Sequence, residues 1–366
     1  MVHVSCQCER SRLKGGAQAR QNLRVVTRGQ RPTSPADLAG GERLLHYVSK
    51  AGLVQRHMEG GPDASALPDD PSRVPAWFTD ALAAPREERF LEVDGCRIRY
   101  LRWGDPARPG LVLVHGGAAH AHWWSFIAPQ LTHHYHVVAP DLSGHGESAW
   151  REEYPREIWA KEVLAVADDA GFLGPPVLVG HSLGGLVSIV AASLYGERLA
   201  GAVIVDSPVR RPDVESEQGS RGRFFRNPKT YPDLATALAH FHLMPPQPCE
   251  SRFIVDHVAR HSLRQVPAGW TWKFDPRVFI RFSLRPMSDY LANAQCRVAL
   301  FRGEFSDLVP PETGEYMYEL LDRNAPIVEI PQAHHHLILD QPLAFIAALR
   351  AILADWEHSV PRRPRS

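Results

Sequence analysis

The clearest pattern in the chain is a series of short, largely apolar runs, most followed by a loop and then by a longer stretch of helical spacing. Runs at 111–114, 135–139, 177–179, 199–205 and 298–301 are too short for helices. They have the continuous apolarity of strands buried on both faces of a parallel sheet. Two further runs, 90–93 and 97–103, flank Asp94-Gly95 and predict an antiparallel hairpin at one sheet edge. A last strand is expected at 327–330. Between the strands, 156–171 reads as a helix with Ile158, Val163, Leu164 and Val166 inward and Gly171 as its cap. Residues 186–192 are apolar all round, as in a buried helix. A closing helix starts at Pro342 and shows one face of Phe345, Leu349, Ile352, Leu353 and Trp356. Residues 75–82, 123–127 and 311–321 are also read as helical. Trp123 and Trp124 must then point different ways, and core packing is the expectation for each, with lining of a site the alternative for one. The class is α/β, with a mostly parallel eight-stranded sheet flanked by helices.

The succession fails in three places. Residues 1–74 are rich in Arg and Gly and poor in aromatics, which reads as a disordered extension. An organelle transit peptide, or an initiation site at Met58, would also explain them. Residues 209–294 carry Pro, Arg and aromatics, including Phe224, Phe225, Trp270, Trp272 and Phe279, with helical patches at 234–241 and 253–263. They form an insertion that divides the core into 75–208 and 295–358. Residues 359–366 read as a disordered tail.

Composition narrows the partners. Forty-one basic and forty-one acidic residues leave no net charge and no bias toward nucleic acid or anionic membrane. No run approaches the roughly 20 apolar residues of a membrane span. Five scattered cysteines imply reduced thiols and a cytoplasmic setting. Oligomeric state is not encoded in any pattern.

The candidate chemistry centres on 177–186, an apolar strand running into Gly180-His181-Ser182-Leu183-Gly184 and then a helix. A serine on so sharp a turn needs small neighbours, which Gly180 and Gly184 supply. Its hydroxyl then lies at a helix start, where backbone N–H groups favour developing negative charge. A second glycine turn, His115-Gly116-Gly117-Ala118, follows the strand at 111–114.

These segments resemble the nucleophile elbow and oxyanion loop of the α/β-hydrolase superfamily, and the likeness extends over about 90–356. It implies the α/β-hydrolase fold, with 209–294 as a helical cap after the sixth strand. It further implies Ser182 as nucleophile and an oxyanion hole from the amides of Gly117, with Ala118 as substitute, and Leu183. The partners follow in the superfamily's order of Ser, acid, His. Asp307, after the strand at 298–303, is the expected acid, with Asp206 and Glu304 as rivals. His335 is the expected base, because Asp340 and Pro342 set its register, and His336 is the next choice. The resemblance implies no cofactor and no metal. The expected activity is hydrolysis of a carboxylic ester, thioester or lactone with an apolar portion. A carbon–carbon bond hydrolase and a non-catalytic ligand-binding member are the alternatives.

Overall fold

Asp94 and Gly95 take φ of +48° and +70°, the pair of left-handed residues a tight hairpin turn requires. They join β1 (Glu87–Val93) to β2 (Cys96–Trp103) in antiparallel register. The computed structural model describes residues 74–211, 229–279 and 286–359. The expectations for the extension, for Phe224 and Phe225 and for nearly all of the tail lie outside the described residues.

The eight-stranded sheet continues through β3 (Gly110–Val114), β4 (His136–Pro140), β5 (Val177–His181) and β6 (Gly201–Val205). A separate hairpin, β7 (Leu263–Val266) and β8 (Gly269–Trp272), lies in the insertion. The sheet then closes with β9 (Arg297–Gly303) and β10 (Ile327–Ile330). The spatial order is β1-β2-β4-β3-β5-β6-β9-β10. Pairing is antiparallel at β1/β2 and β2/β4 and parallel across the rest. The chain leaves β3 toward β4 and returns on its other side as β5. That reversal opens a crevice at the carboxyl ends of β3 and β5, the place where open α/β sheets bind ligands.

Continuous apolarity in the central strands still resolves into two faces. Leu111 and Leu113 of β3 join one core cluster, Val112 and Val114 the other, as the two-residue period of a strand demands. The first cluster packs on α1 (Ala76–Ala83), through Phe78, and on the closing helix, through Phe345, Leu349 and Leu353. The second holds Trp159 and Val163 of α2 (Arg156–Asp169) and Val187 and Val190 of α3 (Leu183–Tyr195). The insertion supplies α4 (Leu234–Ala239), α5 (Arg252–His261) and α6 (Met287–Ala292). Three helices follow: α7 (Pro311–Leu320), α8 (Leu337–Asp340) and α9 (Pro342–Ser359). No helix among the described residues is long and apolar enough to cross a membrane.

Three local expectations change. The helix read at 123–127 is instead two 3-10 turns, Ala121–Trp124 and Ala128–Leu131. Pro129 has no N–H to continue an α-helix there, and the Asp141 carboxylate caps Ala121 N at 2.6 Å. The insertion is not wholly helical, since the Trp-rich stretch forms β7 and β8. The glycine-containing loop at 140–148 predicts an exposed His145, yet its ring is fully buried against His115 and Trp159. Its loop is covered by the insertion, where Gly146 N donates to Lys273 O and Asp275 N to Gly144 O, both at 2.8 Å.

Candidate active site

Ser182 has φ +54° and ψ −117°, a strained combination for a residue with a side chain. The strain persists because the turn is held on all sides. Ser182 N donates to Val205 O at 2.9 Å. A Cβ on Gly180 would lie 2.2 Å from Gly184 O, and one on Gly184 2.3 Å from Val114 O, so β3, β5 and α3 meet at contact distance. The hydroxyl therefore stands at the carboxyl end of β5. The amide of Leu183 opens α3 and has no acceptor inside the helix.

His335 reaches this hydroxyl from the loop after β10, with Nε2 3.0 Å from Ser182 Oγ. The run of three histidines is pinned at each residue. His334 N donates to Asp340 Oδ2 at 2.9 Å, and His336 N to Gln247 Oε1 at 2.8 Å. The main-chain oxygen of His335 accepts from His181 Nε2 at 3.0 Å. That bond places the proton of His181 on Nε2, and burial keeps the ring neutral by lowering its pKa to about 3. Asp340, which sets the register in sequence, thus acts through the main chain of the preceding residue.

The acid is where structure and expectation part. Asp206, at φ +46° just beyond β6, is fully buried and lies 3.6 Å from His335 Nδ1 through Oδ1. Its carboxylate also accepts from Ser306 Oγ at 2.7 Å and from Gly303 N at 3.1 Å. Asp307 is exposed. Ser306 turns its hydroxyl inward to Asp206, which leaves the next residue facing solvent. The structure thus gives the position beside His335 to Asp206 in place of Asp307. Glu304, the other rival, accepts from Gln332 N at 2.7 Å and holds a surface turn.

The glycine loop after β3 adjoins Ser182. A Cβ on Gly116 would sit 3.3 Å from Ser182 Cβ, and one on Gly117 2.9 Å from the Phe279 ring and 3.8 Å from a Leu183 methyl. Ala118 has φ +58°, which turns the chain there. His115 is fixed as the Nδ1–H tautomer: Nδ1 donates to Gly116 O at 2.7 Å and Nε2 accepts from Leu142 N at 3.0 Å. Of the tryptophan pair, Trp124 packs in the core against Phe345, while Trp123 faces His181 and His336. Sequence reasoning missed Gln247 and Ser306. Neither carries a motif, and both act on residues distant in the chain.

Comparison with known proteins places the chain among hydrolases of this fold. The chain is 26% identical over 276 residues to an esterase of Mycobacterium tuberculosis, covering 74% of this chain and 89% of that one. It is 29% identical over 255 residues to a pimeloyl-[acyl-carrier protein] methyl ester esterase of Aliivibrio fischeri, covering 66% and 93%. In fold it is similar to E-2-(acetamidomethylene)succinate hydrolase, with a TM-score of 0.65 at 20% identity, over 74% of this chain and 100% of that one. Residues 111–349 match the family model described as alpha/beta hydrolase, and the chain belongs to that family.

Proposed function

We propose that the protein is a serine hydrolase of carboxylic esters, thioesters or lactones, with Ser182 as nucleophile, His335 as base and Asp206 as acid. The 3.0 Å contact between Ser182 Oγ and His335 Nε2 carries the reading. In that contact the hydroxyl donates to Nε2, so the imidazole proton sits on Nδ1, facing Asp206. When Oγ attacks an acyl carbon, its proton passes to Nε2, and the buried carboxylate stabilises the resulting imidazolium. The separation of 3.6 Å exceeds a hydrogen bond, and such contacts tighten as substrate binds. The amides of Gly117 and Leu183 are the donors assigned to the carbonyl oxygen and would receive its negative charge. His335 then returns the proton to the leaving alcohol or thiol, and water deprotonated by the same ring releases the acid from Ser182.

The walls nearest these groups support an apolar substrate portion: Phe279 and Leu183 lie beside Gly117, and Trp123 beside His336. Phe279 comes from the insertion, which we assign as the cap that selects substrates. The test is labelling by a fluorophosphonate followed by turnover of p-nitrophenyl esters of graded chain length. Ser182 labels and turns over, and Ser182→Ala does neither. Folded wild-type protein that resists the probe would instead be a ligand-binding member.

A further inference from the structure

The geometry points to a second site: His122, His257 and His261 together bind one borderline divalent transition-metal ion, of the Zn²⁺, Co²⁺ or Ni²⁺ kind, tying the insertion to the core. His122 lies in the 3-10 turn after β3, whereas His257 and His261 are four residues apart on one face of α5. One ring nitrogen from each lies within 4.8 Å of those of the other two. Two imidazoles on one tetrahedral ion bring their nitrogens to roughly 3.3 Å, given metal–nitrogen bonds of about 2.0–2.1 Å. Binding would draw the three nitrogens together by up to about 1.5 Å.

Ring orientation is already set on α5. His261 Nδ1 donates to His257 O at 2.8 Å, so its Nε2 holds a lone pair. His257 Nε2 bonds to Ser125 Oγ at 2.8 Å, and Ser125 in turn donates to His122 O at 2.8 Å, so His257 Nδ1 holds a lone pair. Metal-binding histidines are oriented by hydrogen bonds of this kind. His122 Nδ1 is buried without a hydrogen-bond partner, and Nε2 accepts from Arg99 at 3.3 Å. Arg99 also holds Asp141 and Glu88, so it remains paired if the metal takes that nitrogen. A cleft of ≈ 520 Å³ reaches the cluster from solvent, with His122, His261, Arg86, Glu88 and Arg99 on its walls. A set of imidazoles without thiolate suits Zn²⁺, Co²⁺ or Ni²⁺ over Ca²⁺ or Mg²⁺.

The site is separate from the triad, although His181, His335 and His336 also gather within 4.8 Å of one another, and the test must tell the two apart. Full-length protein treated with chelator is titrated with Co²⁺, followed by its visible absorption and by calorimetry, and with Zn²⁺, followed by thermal unfolding. The expected result is one equivalent bound, a raised unfolding temperature, and unchanged fluorophosphonate labelling of Ser182. His257→Gln and His261→Gln each weaken binding by on the order of 100-fold or more. Both variants label at Ser182 as wild type does, which shows that they are folded. Absence of stoichiometric binding would overturn the proposal. So would binding that survives both substitutions, or binding that is lost in His336→Gln and blocks Ser182 labelling.

Discussion

Asp206 and Asp307 follow strands that are neighbours in the sheet, and Asp206 N donates to Phe301 O at 2.8 Å. In parallel register His181, Val205 and Phe301 lie side by side, so the segments beyond β5, β6 and β9 emerge at one edge. Either carboxylate could serve a base on the next loop, and only the turn taken after β9 decides between them. Asp206→Asn is therefore expected to lower kcat by roughly 10⁴-fold by disturbing the imidazole tautomer, while Asp307→Asn retains wild-type turnover. Steady-state kinetics on one p-nitrophenyl ester checks both, and the reverse pattern would restore Asp307. The meeting of Ser182 and His335 was legible because its determinants are local: two glycines around one, an Asp and a Pro after the other. The carboxylate beside His335 was legible only as one of three candidates, because the hydroxyl of Ser306 reaches Asp206 across 100 residues of chain.

At the scale of elements, the strand, turn and helix around Ser182 could be read in sequence because close approach leaves room for glycine alone. Gly184 is the sharpest case, since an added Cβ would sit 2.3 Å from Val114 O and 2.5 Å from His115 O. Both are backbone atoms of the strand and loop that also carry Gly117. Gly184→Ala should cost about 1–3 kcal/mol or more through overpacking and should depress kcat by displacing the glycine loop. Denaturant unfolding and turnover measured on the same preparation check this; a variant of wild-type stability would mean that the three elements are looser than their contacts indicate. The insertion was far less legible. β7 and β8 are four residues each, too short to show a period. Its contacts with His145, His336 and Gly117 join residues remote in sequence. Aromatic content marked it as a covering segment without saying what it covers.

Over the whole molecule, buried uncharged groups set the pH range of stability. Burial lowers His115, His136, His145, His181 and His336 below the ordinary imidazole pKa, His181 to about 3. Between those lowered values and about 6.5, the unfolded chain binds protons that the folded chain does not. Stability therefore climbs with pH through that window and is lost as pH falls, by about 1.4 kcal/mol per pH unit for each histidine. Glu162 and Asp340, raised by burial, act in the opposite sense, but the lowered imidazoles outnumber them. On the alkaline side, burial raises Cys249 and Cys296 from 9.0 to about 12. Above about pH 9 the unfolded chain gives up protons that the folded chain keeps, and stability falls again. The unfolding temperature should thus be level from about pH 6.5 to 9 and decline on both sides. His136 isolates one contribution, because its two ring nitrogens are buried without hydrogen-bond partners against Phe172. His136→Leu should make the acid slope of unfolding free energy shallower, by at most about 1.4 kcal/mol per pH unit, and leave Ser182 reactive. Urea unfolding at a series of pH values reads that slope directly, and a folded variant whose acid limb matches wild type would mean that His136 is protonated inside the fold.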